Sequence, residues 1–178
     1  MSEKNRRTVE IVGLFFVLVL GNLLHFVYDW TGQNAVAAAF SAVNESTWEH
    51  MKLLAVPWIV WSLMEWAVTR QGSVPFARAM GLLTGLAAIP ALFYTYQGVL
   101  GRNIDWVNIL IFQLAVLLAF AVSRWLKGRE RFGGKLWQVA GLVILLAVGA
   151  AFAVWTYRPP ELAIFTDPIT GLPGLPQG

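Results

Sequence analysis

In a chain of 178 residues, 57% hydrophobic and only 13% charged, the charge density is about half that of a soluble domain. The balance describes a polytopic membrane protein of one domain. Cysteine is absent, which excludes disulfides, thiolate nucleophiles and cysteine-bound metals, and only His25 and His50 are available for imidazole chemistry.

A basic polar start, "MSEKNRR", leads into an apolar run over residues 9–28, broken by Glu10, Asn22 and His25. The run is longer than the apolar core of a secretory signal, so it reads as an uncleaved first transmembrane helix. An outer loop from Trp30 to Val43 follows, in which "NAVAAAF" suits a short interfacial helix. Four more spans are predicted at residues 48–68, 76–97, 106–125 and 137–157, each near the ~20 residues that cross a hydrocarbon core. Trp30, Trp48, Trp66, Trp106, Trp125, Trp137, Trp155 and Tyr157 stand at their ends, as an aromatic belt does.

Pro57 and Pro90 fall inside the second and third spans and are expected to bend them. "GLLTG", from Gly81 to Gly85, and Gly141 and Gly149 mark close helix packing, inside the bundle or in a homo-oligomer. The tail, residues 158–178, is too rich in Pro and Gly for a regular helix. Its "TDPITG" predicts a sharp turn, and Leu162, Ile164, Phe165 and Ile169 predict that it packs back on the bundle.

The expected fold is an all-α integral membrane bundle of five transmembrane helices, N-terminus inside and C-terminus outside. Orientation follows from ten basic residues on one side (Lys4, Arg6, Arg7, Arg70, Arg78, Arg124, Lys127, Arg129, Arg131 and Lys135) against Lys52, Arg102 and Arg158 on the other. Cysteines introduced at Gly128 and Gln177 should be labelled by an impermeant reagent from opposite sides. Labelling of both from one side would refute this topology. The basic loop around residues 124–135 suits anionic lipid, and no soluble basic domain is left to hold nucleic acid. The expected location is a bacterial cytoplasmic membrane.

Most polar residues map to the outer end. Asn22, His25 and Asp29 are spaced to share one face of the first helix. Glu45, Glu49 and Lys52 share a stripe of the second, with Ser46 and His50 beside it. Tyr94 and Gln97 close the third helix, and Asp105 and Asn108 open the fourth. On the inner half Glu65 stands out, and it is expected to snorkel toward Arg70. Ionisable groups in a membrane segment are costly and usually face a bundle interior or a functional path. The expectation is an outward-facing polar pocket containing these residues and Asn44.

Two chemistries fit such a pocket. His25 and His50 with Glu45 or Glu49 compose the two-His-plus-carboxylate set that holds a divalent metal such as zinc and leaves a position for water. Without a metal, a His25–Asp29 pair acts as base with Glu49 as acid, and His50 completes the catalytic candidates. Against both stands a helix cap. Ser46 and Glu49 have capping-box spacing, Asn44 also suits the helix start, and Lys52 suits an ion pair with Glu49. The competing functions are therefore a pocket for a small ligand, hydrolysing a lipid-like substrate in its enzymatic form, and a transporter or accessory subunit with a structural motif.

The segments "HFVYDWTGQN", "FSAVNESTWEHMKLL" and "LAIFTDPITG" resemble an uncharacterised family of small bacterial multi-pass membrane proteins. That family repeats an H-F-x-Y-[DE]-W-[ST]-G segment, a V-N-E-S-x-W-E-H-x-K segment and a late D-P-x-T-G segment. The resemblance implies a topology without an activity, and draws attention to His25, Asp29, Asn44, Glu45, Ser46, Trp48, Glu49, His50, Lys52 and Asp167. More remotely, the chain is similar to the membrane hydrolases that include alkaline ceramidases. Those have seven helices and a zinc on three histidines, where this chain has five spans and two histidines.

Overall fold

The computed structural model describes residues 3–175, and every regular element among them is helical. Five long helices alternate in direction: α1 (Glu3–Trp30), α3 (Thr47–Thr69), α4 (Val74–Leu100), α5 (Asp105–Lys127) and α6 (Lys135–Tyr157). A one-turn helix, α2 (Ala35–Ala38), lies in the loop after α1, held by the Asn34 side chain accepting from the N–H groups of Val36 and Ala37. All five long helices are long and apolar enough to cross a membrane. Each runs past its predicted apolar stretch, α1 by at least six residues at its start, because a helix continues through the interface until a cap stops it.

Those stops are local. Ser46 caps α3, its Oγ accepting from the Glu49 N–H at 3.3 Å. Pro75 sits in the first turn of α4, where a missing N–H costs nothing. Arg70 and Gly101 end α3 and α4 in the left-handed region, at φ 52° and 66°. Both helices run on through Pro57 and Pro90.

α4 packs against α3, α5 and α6, while α1 packs on α3 and α5. α1 turns Gly13, Val17, Gly21, Leu24 and Tyr28 inward, a spacing of three to four residues that keeps one face on the bundle. Glycine lets these backbones approach closely. A Cβ on Gly81 would lie 2.6 Å from the Ala119 carbonyl oxygen, and one on Gly85 would meet Leu54 and Ala115. The "GLLTG" pattern therefore serves the interior contact of α4 with α3 and α5. Gly141 of α6 fits directly against the backbone of Pro75 and Phe76.

Between the ends lies a dry layer. Val17, Trp58, Leu82, Val116 and Phe120, one or two from each of four helices, are buried within one apolar cluster. Lipid-facing positions carry apolar residues instead, among them Phe15, Val19, Leu114, Leu117, Val143 and Leu146.

The tail folds back as expected. Phe165, 4% exposed, packs at 4.6 Å from the Trp48 ring, which itself stacks on Phe152 at 4.2 Å. Asp167 turns the chain: its carboxylate accepts from the Ile169 N–H and the Thr170 hydroxyl, and its carbonyl accepts from the Gly171 N–H. Leu162 and Ile169 remain exposed. Gln177, the labelling position chosen in the tail, lies outside the described residues.

Glu65 departs from its expected place. It is 5% exposed and turns away from Arg70 into the bundle. There it accepts from Arg78 Nε at 2.6 Å and from Lys127 Nζ at 2.6 Å. Glu10 of α1 completes the group, 3.2 Å from Arg78 Nη2 and paired with Lys127. Two cations and two anions from four helices thus cancel inside the basic end. The Arg78 guanidinium also lies 4.5 Å from the Phe120 ring centroid and 5.1 Å from that of Trp58. Arg78 and Lys127, assigned from sequence to a topology-setting positive charge, are structural ion-pair partners. A buried carboxylate needs a buried cation, so pairing prevails over snorkelling.

Candidate functional site

The stretch from Asn44 to Lys52 divides into two sets of side chains on opposite sides of α3. On one side, the Asn44 carboxamide accepts from the Ser46 N–H at 2.9 Å and donates to the Gly174 carbonyl at 2.8 Å, tying the helix start to the tail. Glu49 is 2% exposed and meets Lys52, itself wholly buried, at 2.5 Å. The remaining valences are closed. Lys52 donates to the Ala38 carbonyl at 2.8 Å and to the Thr156 hydroxyl at 2.7 Å, and Glu49 accepts from the Val43 N–H at 3.2 Å. Thr156 Oγ1 lies 3.0 Å from Glu49 Oε1. This network joins α2, α3 and α6.

That placement corrects two expectations. Glu49 is neither with the histidines as a ligand nor exposed as an acid; Lys52 occupies it, because an unpaired buried ammonium is more costly than an unpaired pocket position. The capping box is also only half formed. Ser46 caps Glu49, but the Glu49 side chain reaches back to Val43 rather than to the Ser46 N–H.

On the other side, Glu45 bridges the histidines. Its Oε1 lies 3.6 Å from His25 Nε2 and its Oε2 lies 3.4 Å from His50 Nε2. The two rings stand 5.4 Å apart, and one ligand atom from each residue falls within 4.8 Å of the others. His50 Nδ1 is 3.0 Å from the Ser46 carbonyl oxygen. A carbonyl only accepts, so Nδ1 donates to it and Nε2 is the nitrogen that faces Glu45. The helix cap and the imidazole are thus coupled: the residue that starts α3 also orients the ring.

A cavity of about 590 Å³ opens beside this trio. Its polar lining includes Asn22, His25, Glu45, Thr47, His50, Asn103, Asp105 and Asn108. Its apolar wall comes from Phe26, Leu53, Ile89, Phe93, Ile109, Ile111 and Phe112, and Pro168 and Ile169 of the tail turn line it too. The Tyr96 hydroxyl lies 2.7 Å from Asn103 Oδ1 and 2.6 Å from Asn108 Oδ1, steadying that polar edge.

Asn22, Asp105 and Asn108 therefore fall where the sequence put them. Several others do not. Asp29 is exposed one turn beyond His25, which faces Glu45 instead, so the His25–Asp29 pair does not form among the described residues. Asn44, Ser46 and Lys52 belong to the cap and the ion pair. Tyr94 lies outside the cavity lining, its hydroxyl 3.3 Å from Thr47 Oγ1. Gln97 contributes its backbone to the end of α4. Thr47, Asn103 and the Pro168–Ile169 pair were missed by sequence reasoning. Only the "DPITG" segment gave a signal, as a turn that must be held against something.

Fold and site together define an all-helical protein with five membrane-compatible helices and a half-polar pocket at one end of the bundle, capped by its own tail. The chain belongs to the family of unknown function DUF6512, whose model matches residues 1–175. No curated protein and no solved structure matches the chain.

Proposed function

We propose that the protein is a membrane-embedded metal-binding protein whose pocket faces the outer side and takes a small amphipathic ligand, with hydrolysis of a lipid-like substrate as its chemistry. The observation that carries this reading is the His25–Glu45–His50 trio, with His50 oriented by the Ser46 carbonyl. Ligand atoms of a tetrahedral zinc site stand about 3.3 Å apart when each is ~2.0 Å from the ion. The carboxylate–imidazole separations, 3.6 and 3.4 Å, run to the two different oxygens of Glu45, and one ligand atom from each residue falls within 4.8 Å of the others, so small side-chain rotations would close the set on an ion. A backbone or carboxylate acceptor on the second imidazole nitrogen is also the usual support of a metal-bound histidine.

Three protein ligands leave one position for water or substrate, as in catalytic rather than structural zinc sites. The metal would polarise a carbonyl or activate water there. The cavity's two-sided lining supports an amphipathic occupant: an ester or amide near the trio, and a chain against Phe93, Ile109 and Phe112. Asp105, on the same lining, is the remaining carboxylate able to accept a proton. Outward orientation rests on the basic asymmetry, which is eight to two once the internally paired Arg78, Lys127 and Lys52 are set aside.

The transporter reading has less support. The cavity near His25 and the one at the basic end share no lining residue, and by helix position Val17, Trp58, Leu82 and Phe120 come between them. Elemental analysis of protein purified without chelator tests the proposal. About one equivalent of a divalent transition metal is expected, and protein that neither retains nor takes up such a metal would leave the motif a helix cap and ion pair.

A further inference from the structure

At the opposite end of the bundle a second cavity, about 600 Å³, opens between the start of α1 and the end of α5. Glu10, Glu65 and Lys127 line its floor. Those charges are already spent: both oxygens of each carboxylate engage Arg78 or Lys127, and the four groups sum to zero. The mouth differs. Arg6, Arg7 and Arg124 line it with no ion-pair or hydrogen-bond partner among the described residues, and Glu3 is the one acid beside them. An excess of two positive charges thus stands over a neutral floor whose carboxylates are fully engaged.

We infer that this cavity binds the phosphate of an anionic lipid headgroup in the leaflet at the basic end. Guanidinium forks match phosphate oxygens in geometry as well as charge. Basic pockets between transmembrane helices on this side are a recognised setting for anionic headgroups. The helix faces next to the arginines say why the phosphate belongs to a lipid. On α1, Arg7, Ile11 and Phe15 follow at intervals of four, and Ile11 and Phe15 are 46% and 61% exposed. On α5, Leu117, Ala121 and Arg124 follow at four and three, with Leu117 49% exposed. Two exposed apolar stripes therefore lead from the hydrocarbon to the arginine mouth, a bed for acyl chains beneath a held headgroup. Other basic residues of this end do not converge so: Arg129 lies over the Trp125 ring and Arg131 over Phe132.

Native mass spectrometry of the detergent-solubilised full chain tests the assignment, with phosphatidylglycerol, phosphatidylcholine and inorganic phosphate as probes. Phosphatidylglycerol should remain bound at concentrations where phosphatidylcholine does not. An Arg6→Gln/Arg124→Gln variant should bind it at least about tenfold more weakly, the scale of losing a charge-assisted hydrogen bond. Arg7→Gln alone should weaken it in the same direction. An Arg129→Gln/Arg131→Gln variant, with the same loss of charge, should bind as the unaltered protein does. All four arginines of the paired variants are exposed, so their unfolding midpoints in detergent without added lipid should be unchanged. Equal weakening by the Arg129/Arg131 pair would mean diffuse charge and overturn the site. Equal retention of the two lipids would do the same, and displacement of phosphatidylglycerol by millimolar inorganic phosphate would reassign the arginines to a free anion.

Discussion

Glu49→Gln is expected to destabilise the protein by about 3–5 kcal/mol, the cost of removing one partner of a buried ion pair. On capping alone the change would be nearly silent, since Gln serves as well as Glu at that helical position. The structure gives Glu49 a different task. Its carboxylate is the counter-charge of Lys52, whose ammonium is wholly buried, and the other groups around that ammonium, the Ala38 carbonyl and Thr156 hydroxyl, are neutral. Lys52→Met should be costly too, because it leaves the buried carboxylate with only the Val43 N–H and the Thr156 hydroxyl. The double change Glu49→Gln/Lys52→Met should recover much of the loss, since replacing both members of a buried pair is often close to neutral. Unfolding by heat or denaturant in detergent measures all three. Metal content should survive in each variant that folds, because Glu49 is not among the trio. A silent Glu49→Gln, or one that loses metal while keeping its stability, would contradict this division of the motif.

The five spans were legible because span length, aromatic ends and basic loops are properties of neighbouring residues. So was the meeting of His25 with His50 and Glu45, which needed only that both polar stripes end at the same side of the bundle. Pairings between distant helices were not. Glu49 finds Thr156 at a separation of 107 residues and Arg78 finds Glu10 at 68, and nothing in a single helix's periodicity reveals which stripe its neighbour presents. Arg78 was the hardest to read. Alone on α4, it counted as one more positive charge near a loop, whereas two carboxylates and two aromatic rings hold it inside. Asp29 erred the other way. Its spacing shares a stripe with His25, but the pocket ends a turn earlier and the carboxylate projects into the open.

Loss of the metal response is the result expected of His25→Ala, His50→Ala and Glu45→Gln, each of which removes a ligand atom or the charge that draws the cation. In the unaltered protein, free metal at about 100 times its dissociation constant should add roughly 2.7 kcal/mol to apparent stability, because the ion binds the native state alone. The three variants should show little of that gain. Their stability without metal should change far less than in Glu49→Gln, since His25, Glu45 and His50 are each partly exposed while Glu49 is not. The two classes of substitution therefore separate on independent axes: stability without metal reports the Glu49–Lys52 pair, and the increment on adding metal reports the trio. Asp29→Asn is the control within the same sequence motif. It lies outside the trio and should keep the full increment. If Asp29→Asn lost as much as His50→Ala, the response would come from diffuse acidic charge at that end of the bundle rather than from ligation. If none of the substitutions mattered, the metal would be bound elsewhere, and His50 would be left as a ring that buttresses the start of α3 through the Ser46 carbonyl.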